Sequence, residues 1–317
     1  MGILTQNDAL TTLRNVGQAT FNKAFTELKA TEMEQMGDYA KVVYPFNCGP
    51  VESFLHTGME TFAQAREIKE RWHESSLKEQ TFRVENKTYG SNATISLDML
   101  RVGMTSGFIE GVRMLPVDVL RKKMSLVGTV FADIETLEGY DGVAFASALH
   151  PTGAGGTQTN LGSSQLTMAN ITTTVAAMRN LTAFNGDFID VIPDTLIVPP
   201  ALEETARAIA NSNTVFYSDR GTTWGATKKF PTANVYEGRF DVVVLKEITD
   251  TDAWGLAQLR RGGDRMKPVI LQTSEDLTAF NDLSKGFDSM VRKRHWFAQW
   301  IGTAKPWMWQ TVYWHSP

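Results

Sequence analysis

Gly153, Gly155 and Gly156 fall in one short run, Thr152 to Ser164, and glycine-rich loops are among the few backbones able to wrap a phosphate. A loop of the Walker type also needs Lys-Ser/Thr after its last glycine, because the lysine neutralises phosphate charge. Here Thr157-Gln158 follow, so the run reads as a flexible loop. The histidines His56, His73, His150, His295 and His315 are scattered, with no pair at helical or zinc-finger spacing, which argues against a metal site. No Gly-x-Ser-x-Gly elbow is present, and Gly162-Ser163-Ser164 has no partner for nucleophilic catalysis. Cys48 has no base beside it and reads as an inert thiol. Arg292-Lys293-Arg294-His295-Trp296 sets cations beside an aromatic, the pairing that grips single-stranded nucleic acid, yet it runs into tryptophans that fill a sheet core equally well. Glu203-Glu204 fits a helix surface. The expectation is a protein with no catalytic, cofactor-binding or metal-binding residues, and not an enzyme.

The chain as a whole agrees. Its 317 residues, 42% hydrophobic, suffice for one or two cored domains. A net charge of −4 argues against a protein that coats phosphates by charge, though not against one that encloses nucleic acid. One cysteine excludes an intramolecular disulfide framework and fits a reducing compartment. The N-terminus lacks the basic start and apolar run of a secretory signal, and no stretch approaches the ~18 apolar residues of a membrane span.

The periodicities predict the following elements. A helix capped at Asn7-Asp8 carries Leu10, Leu13, Phe21, Ala24, Phe25 and Leu28, either as a docking arm or as the first helix of a core. Ser96 to Glu138 is the longest helical stretch, expected to bend or divide at Gly103, Gly107, Gly111 and Pro116, with Arg121-Lys122-Lys123 on a solvated face. Thr152 to Ser164 is loop, a helix starts near Thr167, and Asp194 to Val198 is a buried strand before a helix at 201–210. Asn211 to Pro231 reads as loop. Strands follow at Phe240 to Leu245, Trp254 to Ala257 and Pro268 to Leu271, and Trp307, Trp309, Thr311 and Tyr313 alternate as on one strand.

One stretch resists a compact monomer. Ser53 to Thr57 reads as a strand, and Glu79 to Leu97 alternates again through Phe82 and Val84, with a turn signal at Tyr89-Gly90-Ser91-Asn92. Between them, Glu60 to Glu79 sets five glutamates against four bases and offers little to bury beyond Phe62, Ile68, Trp72 and Leu77. Two strands with so long a charged connection are marginal alone in water. An ordinary surface hairpin and a projecting hairpin stabilised by a neighbouring subunit both fit.

Read across segments, the return strand at Asn86-Lys87-Thr88 with Ile95-Ser96, the segment from Tyr140-Asp141-Gly142 to His150-Pro151, and the strand from Asp194 to Pro199 form a recognisable order. The chain resembles the Mu-like major head (major capsid) proteins of tailed bacteriophages. The resemblance implies an α+β fold of the Hong Kong 97 type. Residues 1–50 would form an N-terminal arm, 51–97 an extended loop, and 98–160 a peripheral domain with a long spine helix. Residues 161–290 would form an axial domain, and 291–317 a strand returning to the body. It implies self-assembly through pentamers and hexamers into an icosahedral shell that holds double-stranded DNA without sequence readout. Arg66, Glu67, Lys69, Glu70, Arg71, Trp72, Glu74 and Lys78 are then the candidate contacts to a neighbouring subunit. Because the arm begins almost at Met1, a scaffold is expected as a separate protein, with portal and decoration proteins as further partners and no membrane. The virion is the expected location, with assembly in the host cytoplasm. A ring- or tube-forming tail or decoration component is the alternative.

Overall fold

The computed structural model describes residues 6–59, 79–96, 106–152, 155–183, 186, 188–219, 228–261, 266–281 and 293–317. Helix α1 (Gln6–Met36) ends at Gly37, whose φ of 55° lies where glycine is tolerated without strain, and the short α2 (Asp38–Lys41) follows. Strand β1 (Val43–Asn47) leads to β2 (Ser53–Met59), β3 (Glu79–Glu85) and β4 (Lys87–Ser96). Then come α3 (Ser106–Ala132), the two-residue strands β5 (His150–Pro151), β6 (Thr157–Gln158) and β7 (Leu161–Gly162), and α4 (Met168–Arg179). Strand β8 (Thr195–Val198), α5 (Glu203–Asn211) and the strands β9 (Thr214–Asp219), β10 (Lys228–Ala233), β11 (Asp241–Val244) and β12 (Trp254–Ala257) complete the middle of the chain. Strands β13 (Val269–Asn281), β14 (Lys293–Pro306) and β15 (Val312–His315) close it.

Two larger sheets organise these elements. The first has the order β1-β13-β14-β4, with β1 parallel to β13 and the other pairs antiparallel. Helix α3 lies against it and buries Val112, Leu115, Val119, Leu120, Val127, Val130 and Phe131, a spacing that keeps one helical face apolar. The second has the order β11-β8-β12-β15-β7. Strand side chains alternate between faces, so Ile197 of β8 joins the core beneath α3 while Leu196 and Val198 face a second core with Ile171, Met178, Ala206 and Trp254. Among the described residues, strands β2 and β3 pair only with each other, from Ser53↔Glu85 to Met59↔Glu79.

Several local expectations are corrected. Tyr89-Gly90-Ser91-Asn92 is no turn but the middle of β4, paired with Ala298 and its neighbours on β14; the break falls at Asn86 instead. Ser96 belongs to β4, and α3, described from Ser106, is shorter than the 31-residue α1; it runs unbroken through Gly107, Gly111 and a buried Pro116, while Gly103 lies outside the described residues. Packing against the first sheet outweighs the one hydrogen bond that proline removes. Lys123 leaves the solvated face and is buried. Thr152 to Ser164 contains β6 and β7, and 211–231 contains β9 and the start of β10, because cross-strand partners impose extended backbone on polar residues. The aromatic tail is not one strand: β14 stops at Pro306, a 3-10 turn spans Trp309–Thr311, and β15 resumes at Val312.

Candidate assembly surface at the hairpin root

The β2–β3 ribbon is fastened to the first sheet at its base by buried polar groups. Gln272 on β13 is fully buried and directly follows the apolar run Val269 to Leu271. Its amide nitrogen donates to Asn86 Oδ1 at 2.8 Å and to the Val84 carbonyl at 3.3 Å. That orientation turns Gln272 Oε1 toward His56 Nε2, 2.6 Å away, so the ring donates. Asn86 in turn donates to the Val51 carbonyl at 2.8 Å, and Val51 exchanges hydrogen bonds with the Ser274 hydroxyl. Both ends of the ribbon, entering at Val51 and leaving at Asn86, are therefore tied to β13. Around His56 stand Phe46, Phe54 and Trp307, with ring centroids at 4.8, 4.9 and 5.3 Å. Away from that cage the ribbon presents Leu55 to solvent at 56% exposure.

A second seam joins α1 to the body. Lys123 Nζ lies 2.5 Å from Glu32 of α1, 3.9 Å from Asp276 of β13 and 5.0 Å from the Trp300 ring centre. Lys29 pairs with the same Asp276 at 2.9 Å. Burial pushes the Asp276 carboxyl up, but the Lys29 hydrogen bond, the Leu277 amide and the charges of Lys123 and Lys29 together hold it below its ordinary value. Beside this seam runs a groove of about 540 Å³ lined by Lys29, Met33, Phe46 and Leu271. Another, of about 370 Å³, lies between α3 and the ribbon base and is lined by Arg83, Lys87, Tyr89, Asp133 and Lys305.

The residues that looked chemical have structural work. His150 is buried, 2.6 Å from the Asp141 carboxylate and 3.1 Å from Asn160 Oδ1, and stacks on Trp309 at 3.8 Å. Asn160 Nδ2 donates to the carbonyls of Phe145, Trp309 and Val312. His315 accepts from the Ser164 amide at Nδ1 and donates from Nε2 to the Thr174 hydroxyl, and it stacks on Trp254. Burial lowers its pKa to about 4, so the ring is neutral. Among the described residues no three His, Cys, Asp or Glu side chains converge on a metal position, and no helix is long and apolar enough to cross a membrane. Trp296 and Trp300 are buried in the sheet, the structural one of the two readings of that cation–aromatic stretch.

The eight loop positions proposed as subunit contacts, Arg66, Glu67, Lys69, Glu70, Arg71, Trp72, Glu74 and Lys78, lie outside the described residues. Sequence reasoning missed Gln272, Asn86 and Lys123. Gln272 stands where the apolar run Val269 to Leu271 gives way to Thr273-Ser274-Glu275-Asp276, so no local signal marks it as buried, and its partners are what make that burial tolerable. Nothing local distinguishes Lys123 from Arg121 or Lys122.

Fold and site together define a structural, assembly-type protein: polar chemistry is spent on fixing a ribbon and a helix to a sheet. A family model described as phage capsid protein matches residues 79–294. Among solved structures, the bacteriophage JBD30 capsid chain is similar at 13% identity and a TM-score of 0.52, over 67% of this chain and 90% of that one. A chain of Microbacterium phage Oxtober96 is similar at 10% identity and a TM-score of 0.51, over 85% and 84%. No curated protein matches the sequence. The chain belongs to the phage capsid protein family and has the Hong Kong 97-type fold. Its role is that of a major capsid protein, a structural subunit and not an enzyme.

Proposed function

We propose that this capsid subunit is a Mu-like major head protein. It builds pentamers and hexamers and, from them, an icosahedral shell around packaged double-stranded DNA. The observation that carries this reading is the ribbon root: two strands that would be marginal alone are locked at their base by buried hydrogen bonds. Such an investment at the base suits a ribbon whose distal part is stabilised by a neighbour. The mixed charge of the sequence between Glu60 and Glu79 supports complementary pairing there, with Arg66 to Lys78 as the contacting residues. Identical subunits reaching over one another bury area without a larger core, and many weak contacts add. The order of Asn86-Lys87-Thr88, Tyr140 to Pro151 and Asp194 to Pro199 supports the Mu-like placement. Residues 1–50 then serve as the arm, 51–97 as the extended loop, 98–160 as the peripheral domain, 161–290 as the axial domain and 291–317 as the returning strand. A net charge of −4 suits a wall that encloses DNA without gripping it. Portal and decoration proteins are its further partners, and shells assemble in the host cytoplasm before residing in the virion.

Removing residues 60–79 tests the reading. The shortened subunit is expected to keep its circular dichroism spectrum while electron microscopy finds no closed shells, which the full chain forms. Global unfolding of the shortened chain would assign the segment to the core. Tubes or isolated rings from the full chain would favour a tail or decoration component.

A further inference from the structure

The ribbon root contains one titratable side chain in a place built for a neutral one. We infer that the root is a proton-operated hinge: the ribbon stays fastened to β13 while the His56 ring is neutral, and its return end is loosened when that ring takes up a proton.

The argument rests on what surrounds the ring. His56 is 5% exposed, and among the described residues its one hydrogen bond runs to the uncharged Gln272 Oε1. Phe46 from β1, Phe54 from β2 and Trp307 beyond β14 close the other sides. Charged groups on the packed elements are spent elsewhere or point away. Arg83 and Glu85 of β3 are exposed, Arg83 bonding to the Ser53 hydroxyl. Asp276 of β13 is taken by Lys29. Lys305 of β14 sits opposite Ile270 and, as a cation, offers no compensation. Among the described residues a protonated ring would therefore find no counter-ion, and the aromatic faces recover only part of the lost hydration. Burial accordingly holds the His56 pKa below the ordinary 6.5, with the Gln272 bond opposing it.

The consequence is local. His56 orders Gln272, and Gln272 orders Asn86 and Val84, so expulsion of the ring loosens the return end of the ribbon while the Ser274 hydroxyl still holds Val51 at the entering end. Once the ring is exposed it titrates normally, and each pH unit below that value favours the open root by up to about tenfold. In the shell reading above, on which this last step rests, the hinge makes the reach of the ribbon depend on pH.

Hydrogen exchange on the full-length subunit, corrected for the intrinsic pH dependence of exchange, decides the matter whether or not shells form. Between about pH 7.5 and about pH 5, amides of β2 and β3 should lose protection progressively, by at most about tenfold for each pH unit. Those of β8 should lose markedly less. His56→Gln keeps a neutral donor and should abolish the loss, whereas His315→Gln should leave it in place. Unchanged ribbon protection in the wild-type chain, or the same loss in His56→Gln, would overturn the hinge; the wild-type measurement stands even if the variant folds poorly.

Discussion

Lys123 and Glu32 meet at 2.5 Å with the lysine side chain only 4% exposed, and this contact joins the middle of α3 to the last part of α1. A buried ammonium is tolerated because Glu32, Asp276 and the Trp300 ring surround it. Lys123→Met strands Glu32 beside a partner that has gone and should cost about 3 kcal/mol in chemical unfolding. The double variant with Glu32→Leu should recover part of that loss, because an apolar pair has no charge to desolvate. Equal losses in the single and double variants would show that the ion pair is not the cause.

Acid should weaken the fold through its neutral histidines. Unfolded, His315 takes up a proton near the ordinary 6.5; folded, it does so only near about 4. Between those values the unfolded chain binds more protons, so stability present above pH 6.5 is lost as the pH falls toward 4. His56 acts in the same direction. Thermal unfolding followed across this window should show a falling midpoint, with a shallower fall in His315→Gln.

His150 should tolerate no neutral replacement that lacks a donor. His150→Phe can keep the stack on Trp309, yet it takes from the buried Asp141 carboxylate its partner at Oδ2 and leaves it the Val143 amide at Oδ1. The expected cost is about 3 kcal/mol or more, read as a lower denaturant midpoint. Asp141→Asn, which retains an acceptor for the ring, should cost less.

Two glycines should respond with opposite signs. A methyl group at Gly302 would stand 2.3 Å from the Gln272 carbonyl and 2.4 Å from the Trp300 ring, so Gly302→Ala should destabilise by about 1–3 kcal/mol or more. A methyl group at Gly111, inside α3, meets nothing within 4 Å, and Gly111→Ala should stabilise by about 0.5–1 kcal/mol. Thermal unfolding of the two variants side by side measures both.

What was legible in advance followed from local rules. The apolar stripe of α3, the Thr167 cap of α4 and the buried run at Thr195 to Val198 each carry their own signal in type and spacing. So did the pairing of 53–57 with the segment around Phe82 and Val84, whose alternation fixes which face turns inward. The order of these segments was enough to bring the capsid family into view.

The sequence by itself determined the strongly periodic helices and the apolar strands, though not the polar strands β6, β7, β9 and β10, and it displayed no catalytic constellation. Only the tertiary structure decided that Tyr89 to Asn92 is mid-strand, because β14 supplies the ladder, and that Lys123 alone of three adjacent bases is buried. It also decided that Gln272, over 180 residues from Asn86 in the chain, fastens the ribbon's return. Burial and hydrogen-bond partnership are properties of pairs distant in sequence, and no local pattern of residue types encodes the partner.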